Sequence, residues 1–163
     1  DLNIFKKDEQ PQVEHYWSLV LTHGLIQAGI WRVLEETAEI VAEGSTVAFE
    51  EENEESLVSA ADGTLSSAAS NINDNVKEPS KVVFGLPVSW IEDGTISSKK
   101  LTLLKKLSDE LELSPAGFVV IPEAIVHLIK SKEGSPLHGL LIGVSDITIE
   151  LSLVQNGKIL GSI

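Results

Sequence analysis

The chain of 163 residues contains no cysteine and no methionine. The first absence excludes disulfides and thiolate metal sites, and leaves no redox compartment to infer. The second, with Asp1 in first place, is expected of a chain whose native start lies elsewhere. Positive charge is also scarce. Twelve Lys and Arg stand against 25 Asp and Glu, and the net charge of −13 repels phosphate backbones, so nucleic acid is not expected as a partner. Lys99, Lys100, Lys105 and Lys106 follow the spacing of one amphipathic helix between acids rather than forming a basic patch. No run approaches the roughly 18 to 20 apolar residues that span a bilayer, and no signal-peptide pattern opens the chain. A soluble domain without a membrane span of its own is therefore expected. His15, His23, His127 and His138 show no i,i+4 pair and no acid at ligand spacing, so no metal site is expected among them. Ser89, in Pro87-Val88-Ser89-Trp90, lacks the flanking glycines of a nucleophile elbow and reads as structural.

What is present fits one domain, long enough to bury roughly 70% of the surface its unfolded form exposes. Residues 1–12 read as a tail whose apolar cluster, Leu2, Ile4 and Phe5, is suited to docking on a partner. Trp17, Leu19 and Leu21, then Ile26, Ala28 and Ile30, alternate with their neighbours as strands do, and a third run from Ala38 to Phe49 breaks at Gly44-Ser45. Short turns between them predict an antiparallel meander. Glu50-Glu51-Glu52-Asn53-Glu54-Glu55 reads as a solvated loop that also sets negative charge at the start of the next helix. It lacks the spaced Asp, Asn and Gly of a calcium loop.

Leu57, Ala61, Leu65, Ala68, Ala69, Ile72 and Val76 share one helical face, predicting a helix over 55–76 with Gly63 weakening its middle. Val82 to Leu86 is the continuous apolar run of a central strand, ended by Pro87. Leu101, Leu104, Leu107 and Leu111 mark a helix over 98–111, capped by Ser97 or Ser98. A buried strand, Gly117 to Ile121, then leads through a short apolar helix to a hairpin over 139–160. The expectation is an α/β domain of ribonuclease H-like design. Its mixed five-stranded sheet has three antiparallel strands first, then strands at 82–86 and 118–121 parallel to the first, with flanking helices.

Gly139 to Val144, Ser145-Asp146-Ile147-Thr148 and the strand that follows resemble the second phosphate segment of the actin-like ATPase superfamily. His15 to Val33, strand, tight turn at Gly24, strand, resembles its first phosphate segment, and Lys81 to Trp90 resembles the intervening strand that ends in proline. The resemblance spans roughly residues 15 to 163, and is nearest to bacterial FtsA-like and PilM-like proteins. It implies a nucleotide site at Thr22, His23, Gly24, Ser145, Asp146, Thr148 and Glu150. It also implies that acids of the family pattern are missing: Thr22 and Gly143 stand where carboxylates organise Mg²⁺. A ribonuclease H-type nuclease, which needs a carboxylate on the first strand, fails for the same reason. The preferred expectation is a non-catalytic scaffold without a cofactor. Its partners would be other proteins of a membrane-associated assembly, peripheral at the inner membrane, or further copies of itself. The alternative is a nucleotide-binding actin-like ATPase, using ATP and Mg²⁺, whose second lobe is not in this chain.

Overall fold

A computed structural model describes residues 13–73, 76–144 and 148–163. The tail of residues 1–12, together with Ser145 and Asp146, lies outside the described residues.

The alternating segments at the start form the expected meander: β1 (His15–Leu21), β2 (Leu25–Leu34) and β3 (Thr37–Glu43), followed by a short β4 (Val47–Ala48). The break at Gly44-Ser45 separates β3 from β4, and both pair with β2. Helix α1 (Glu54–Ser70) then crosses to β5 (Lys81–Leu86), which lies parallel to β1, and α2 (Ser98–Glu110) crosses to β8 (Ser114–Val120), parallel to β5. Between β5 and α2 a 3-10 turn and the small hairpin of β6 (Ile91–Glu92) and β7 (Thr95–Ile96) intervene. The sheet order β3-β2-β1-β5-β8, with β4 beside β2, is the ribonuclease H-like arrangement read from the alternation.

Strand alternation sends Trp17, Leu19 and Leu21, Ile26 and Ile30, and Val82, Phe84 and Leu86 to one face. There they meet Leu57, Ala61, Leu65 and Ala68 of α1 and Leu104 and Leu107 of α2 in a single core. Each large side chain buried this way contributes about 1.5–3 kcal/mol. Asn53 caps α1 by accepting the Ser56 N–H at 3.1 Å, and Glu54 and Glu55 set negative charge on its first turn as expected.

Three expectations need correction. Helix α1 stops at Ser70, not at 76, because the Asn71 side chain donates to the Glu43 carbonyl at 2.9 Å and ties the helix end to β3. Ile72 and Val76 therefore lie beyond the helix. In α2, Leu101 is 39% exposed, and Ser97 caps the helix without a side-chain bond. The strand expected to be buried at 117–121 is β8, the sheet edge, where Phe118 and Val119 stay 39% and 45% exposed and Ile121 already opens the next helix. A continuous apolar run marks a strand without showing whether anything covers it.

Helix α3 (Ile121–Glu133) has Pro122 in its first turn and left-handed Gly134 just past its end. The hairpin expected at 139–160 is a three-stranded sheet of β9 (Gly139–Val144), β10 (Ile149–Gln155) and β11 (Lys158–Ser162), separate from the main sheet. Val154 and Val126 are buried where this sheet and α3 carry their apolar residues, while Leu140, Ile142, Ile149 and Leu153 on its other face are more than half exposed.

Candidate functional site

The β1–β2 turn is built by Gly24, whose φ of +70° is open to glycine and costly for a residue with a Cβ. Around it the chain bonds to itself. Thr22 donates its N–H to the Leu25 carbonyl at 2.9 Å and points its hydroxyl at the same oxygen at 3.4 Å. Phe49 N–H donates to the Gly24 carbonyl at 2.8 Å, fastening the start of the acid run against the turn. His23 Nδ1 then lies 3.5 Å from Glu51 Oε1.

The acid run is solvated as expected, all six of its residues being exposed, and hydrogen bonds and surface ion pairs hold it in place. Glu50 accepts from the Asn53 side chain at 3.2 Å, and its N–H donates to Ser56 Oγ at 3.0 Å. Lys99 and Lys106, a helical repeat apart on α2, reach Glu52 at 2.6 Å and Glu54 at 2.5 Å. The Lys99 ammonium holds the Glu52 carboxyl below the usual carboxylate range, and Glu54 raises Lys106. Glu51 is left to the turn. The sequence signalled these links only through the i,i+7 lysines, since their partners come from another element.

At the second turn the structure describes Thr148 and Glu150 but not Ser145 and Asp146. Glu150 stands opposite Gly143 across the β9–β10 ladder and is half-buried. The two turns belong to different sheets, so strand pairing does not bring Thr22, His23 and Gly24 together with Thr148 and Glu150. Pro122, Glu123 and Ala124 open α3, and Glu123, Ala124 and His127 line a hollow of about 370 Å³ beside β8 with Ile91, Phe118 and Val119. Ser89 is exposed in the 3-10 turn, with no acid–base partner drawn to it among the described residues.

A Mg²⁺–nucleotide would need carboxylates at the strand ends. Thr22 and Gly143 supply none, and among the described residues no three His, Asp or Glu side chains converge in metal-binding geometry. The residues described do not fit the group. No helix among them is long and apolar enough to cross a membrane.

No family model matches the chain, and no curated protein matches it by sequence. Solved structures do match. The ethanolamine utilization protein EutJ from Carboxydothermus hydrogenoformans aligns with a TM-score of 0.59 at 10% identity, over 91% of this chain and 50% of its own. An exopolyphosphatase from Cytophaga hutchinsonii gives 0.52 at 12% identity, over 92% and 49%. A Ppx/GppA phosphatase from Aquifex aeolicus gives 0.50 at 11% identity, over 92% and 51%. The chain thus spans about half the length of the solved structures it matches. At such identities the likeness is one of fold alone, the mixed α/β, ribonuclease H-like arrangement of the main sheet with its flanking helices.

Proposed function

We propose that this chain is a degenerate actin-like domain, resembling PilM-like and FtsA-like bacterial proteins, that serves as a non-catalytic scaffold for protein partners in a cytoplasmic assembly at the inner membrane. One observation carries the proposal: negative charge lies beside the first turn rather than in it. Carboxylates inside the turn would hold Mg²⁺ and so attract a triphosphate, whereas Glu51, across His23, faces the approaching phosphate with no metal between. A unit charge about 5 Å from Glu51 is repelled by about 1 kcal/mol in water and about 3 kcal/mol at an effective dielectric of 20. Thr22 in turn spends its hydroxyl on the chain's own carbonyl.

Calorimetric titration of Mg²⁺–ATP into the longest native polypeptide tests this. The expected result is no saturable binding up to about 1 mM, the affinity worth only about 4 kcal/mol, and no Mg²⁺-dependent phosphate release. Micromolar binding with turnover lost on Asp146→Ala or Glu150→Ala would refute it.

The second proposal, a nucleotide-binding actin-like ATPase completed by a lobe outside this chain, is favoured by the retained left-handed Gly24 turn and by the half-length coverage of the matched structures. Thr22→Asp with Gly143→Asp, made in the longest native polypeptide so that any second lobe is present, separates the two. A Cβ at Gly143 would sit in ordinary contact, 3.6 Å from the Glu150 Cβ, so that substitution meets no steric clash and costs only the repulsion of a carboxylate set opposite Glu150. Under the scaffold proposal it restores no turnover.

A further inference from the structure

Among the described residues, the side of β1–β3 opposite the core is open, and its rows are fixed by register. Ser18 pairs with Gly29, a floor so close that a Cβ on Gly29 would come within 2.9 Å of Ser18 Oγ. One row along the strands toward the β2–β3 turn stand Trp31 and Ile40, paired with each other, with Tyr16 stacked on Trp31 at 4.9 Å between ring centroids. One row the other way stand Val20 and Gln27. Between these walls lies a depression of about 290 Å³. Ile40 at its rim is 69% exposed and Val20 38%.

That volume falls just under the roughly 300–1,000 Å³ of pockets that enclose whole small ligands, and suits one large side chain of a partner. The surroundings set the partner's charge. Arg32 neutralises Glu39 at 3.1 Å, but Glu35, Glu36 and Glu43, on the same hairpin, have no cation paired with them among the described residues. An aromatic wall beside unpaired carboxylates favours an apolar or aromatic anchor flanked by Lys or Arg.

We infer that this depression is a docking site for a basic segment of a partner protein, which inserts one aromatic or aliphatic side chain between Trp31, Ile40 and Val20 and sets its cations against Glu43 and the Glu35-Glu36 turn. This rests on the scaffold proposal and names the chemistry of its partner. A second copy of this chain is disfavoured by the net charge of −13.

The test uses the absence of cysteine. Ile40→Cys introduces a unique thiol at the rim, and its alkylation by iodoacetamide is timed with a short lysine-rich peptide carrying one central phenylalanine. The expected result is saturable protection of the thiol. Protection should weaken about tenfold when the phenylalanine is replaced by serine, and about tenfold again when Glu43→Lys is combined with Ile40→Cys. Both positions are exposed, so an unchanged urea midpoint will show that folding is not the cause. Equal protection by a glutamate-rich peptide, no protection at all, or a thiol already shielded in the full native polypeptide would each overturn the inference. Such a failure leaves the scaffold proposal standing, because that proposal is decided by nucleotide binding.

Discussion

Gly44, between β3 and β4, should be among the least replaceable residues of the chain. A Cβ placed there falls 2.7 Å from Thr64 Oγ1 and closer still to the Thr64 carbonyl oxygen. Thr64 is wholly buried in α1, and its hydroxyl accepts the Ala28 N–H at 2.8 Å, taking up a donor on β2. Gly44→Ala must therefore push the helix or the strand away. Overpacking costs about 1–3 kcal/mol. Loss of the buried Ala28–Thr64 bond adds about 1–3 kcal/mol, while the stiffer unfolded chain returns only about 0.4–1 kcal/mol. The net is a destabilisation of about 3 kcal/mol, which at a urea slope of about 2 kcal/mol/M lowers the midpoint by about 1.5 M. Thr64→Ala in the same chain should give no rescue, because the nearer clash is with backbone. Gly63→Ala supplies the contrast of sign: nothing lies within 4 Å of its Cβ, so the same chemical change in mid-helix should stabilise by about 0.5–1 kcal/mol. An unshifted or raised midpoint for Gly44→Ala would refute the packing argument.

The turn between β2 and β3 places Glu35 and Glu36 at φ of 47° and 68°, a conformation suited to Asn-Gly, so Glu35→Asn with Glu36→Gly should raise stability by about 1–2 kcal/mol in urea melts. The Tyr16 hydroxyl donates to Glu14 at 2.6 Å, and this bond raises the phenol's pKa. Tyr16 is the only tyrosine, so a spectrophotometric titration reads it alone, and Glu14→Gln should bring its pKa down toward the ordinary phenol value. Lys81, bonded to Glu14 at 2.5 Å, holds that carboxyl low and is itself raised. A lowered carboxylate stabilises above its unfolded pKa and loses that effect as pH falls through the folded one. Raised Lys and Tyr groups stabilise below theirs and lose it as pH rises. Lys81→Ala should therefore flatten the pH dependence of the melting temperature at the acid edge, where Glu14 titrates, and high salt should mimic it.

The core of this fold was legible because alternation is a local signal. Trp17, Leu19 and Leu21 show which face is buried without any knowledge of the partner helix, and the break at Gly44-Ser45 marks the step from β3 to β4. Coverage is not local. Val119 and Phe118 belong to as apolar a run as Val82 to Leu86, yet one strand sits inside the sheet and the other at its edge. The end of α1 was misplaced for a similar reason: Ile72 and Val76 continue the helical spacing, but a side-chain bond from Asn71 to a strand 28 residues earlier decides where the helix stops.

The candidate site divides along the same line. That Thr22 and Gly143 carry no charge is written in the sequence, and so is the glycine that shapes the first turn. What faces the turn is not, because Glu51 arrives from the far side of β4 through the Phe49–Gly24 bond, and its neighbours Glu52 and Glu54 are taken by lysines from α2. Those pairings change what the acid run means. Six residues with five carboxylates would present a diffuse negative surface if all were unpaired. With Glu52 and Glu54 neutralised at the surface and Glu50 drawn into the cap of α1, the charge left nearest the turn is that of Glu51. On the scaffold proposal, the absence of acids at Thr22 and Gly143 and the placement of one beside the first turn act in the same direction. Under that proposal each would lower the affinity of the site for a metal-bound phosphate, and neither disturbs the hydrogen bonds that hold the turn in shape.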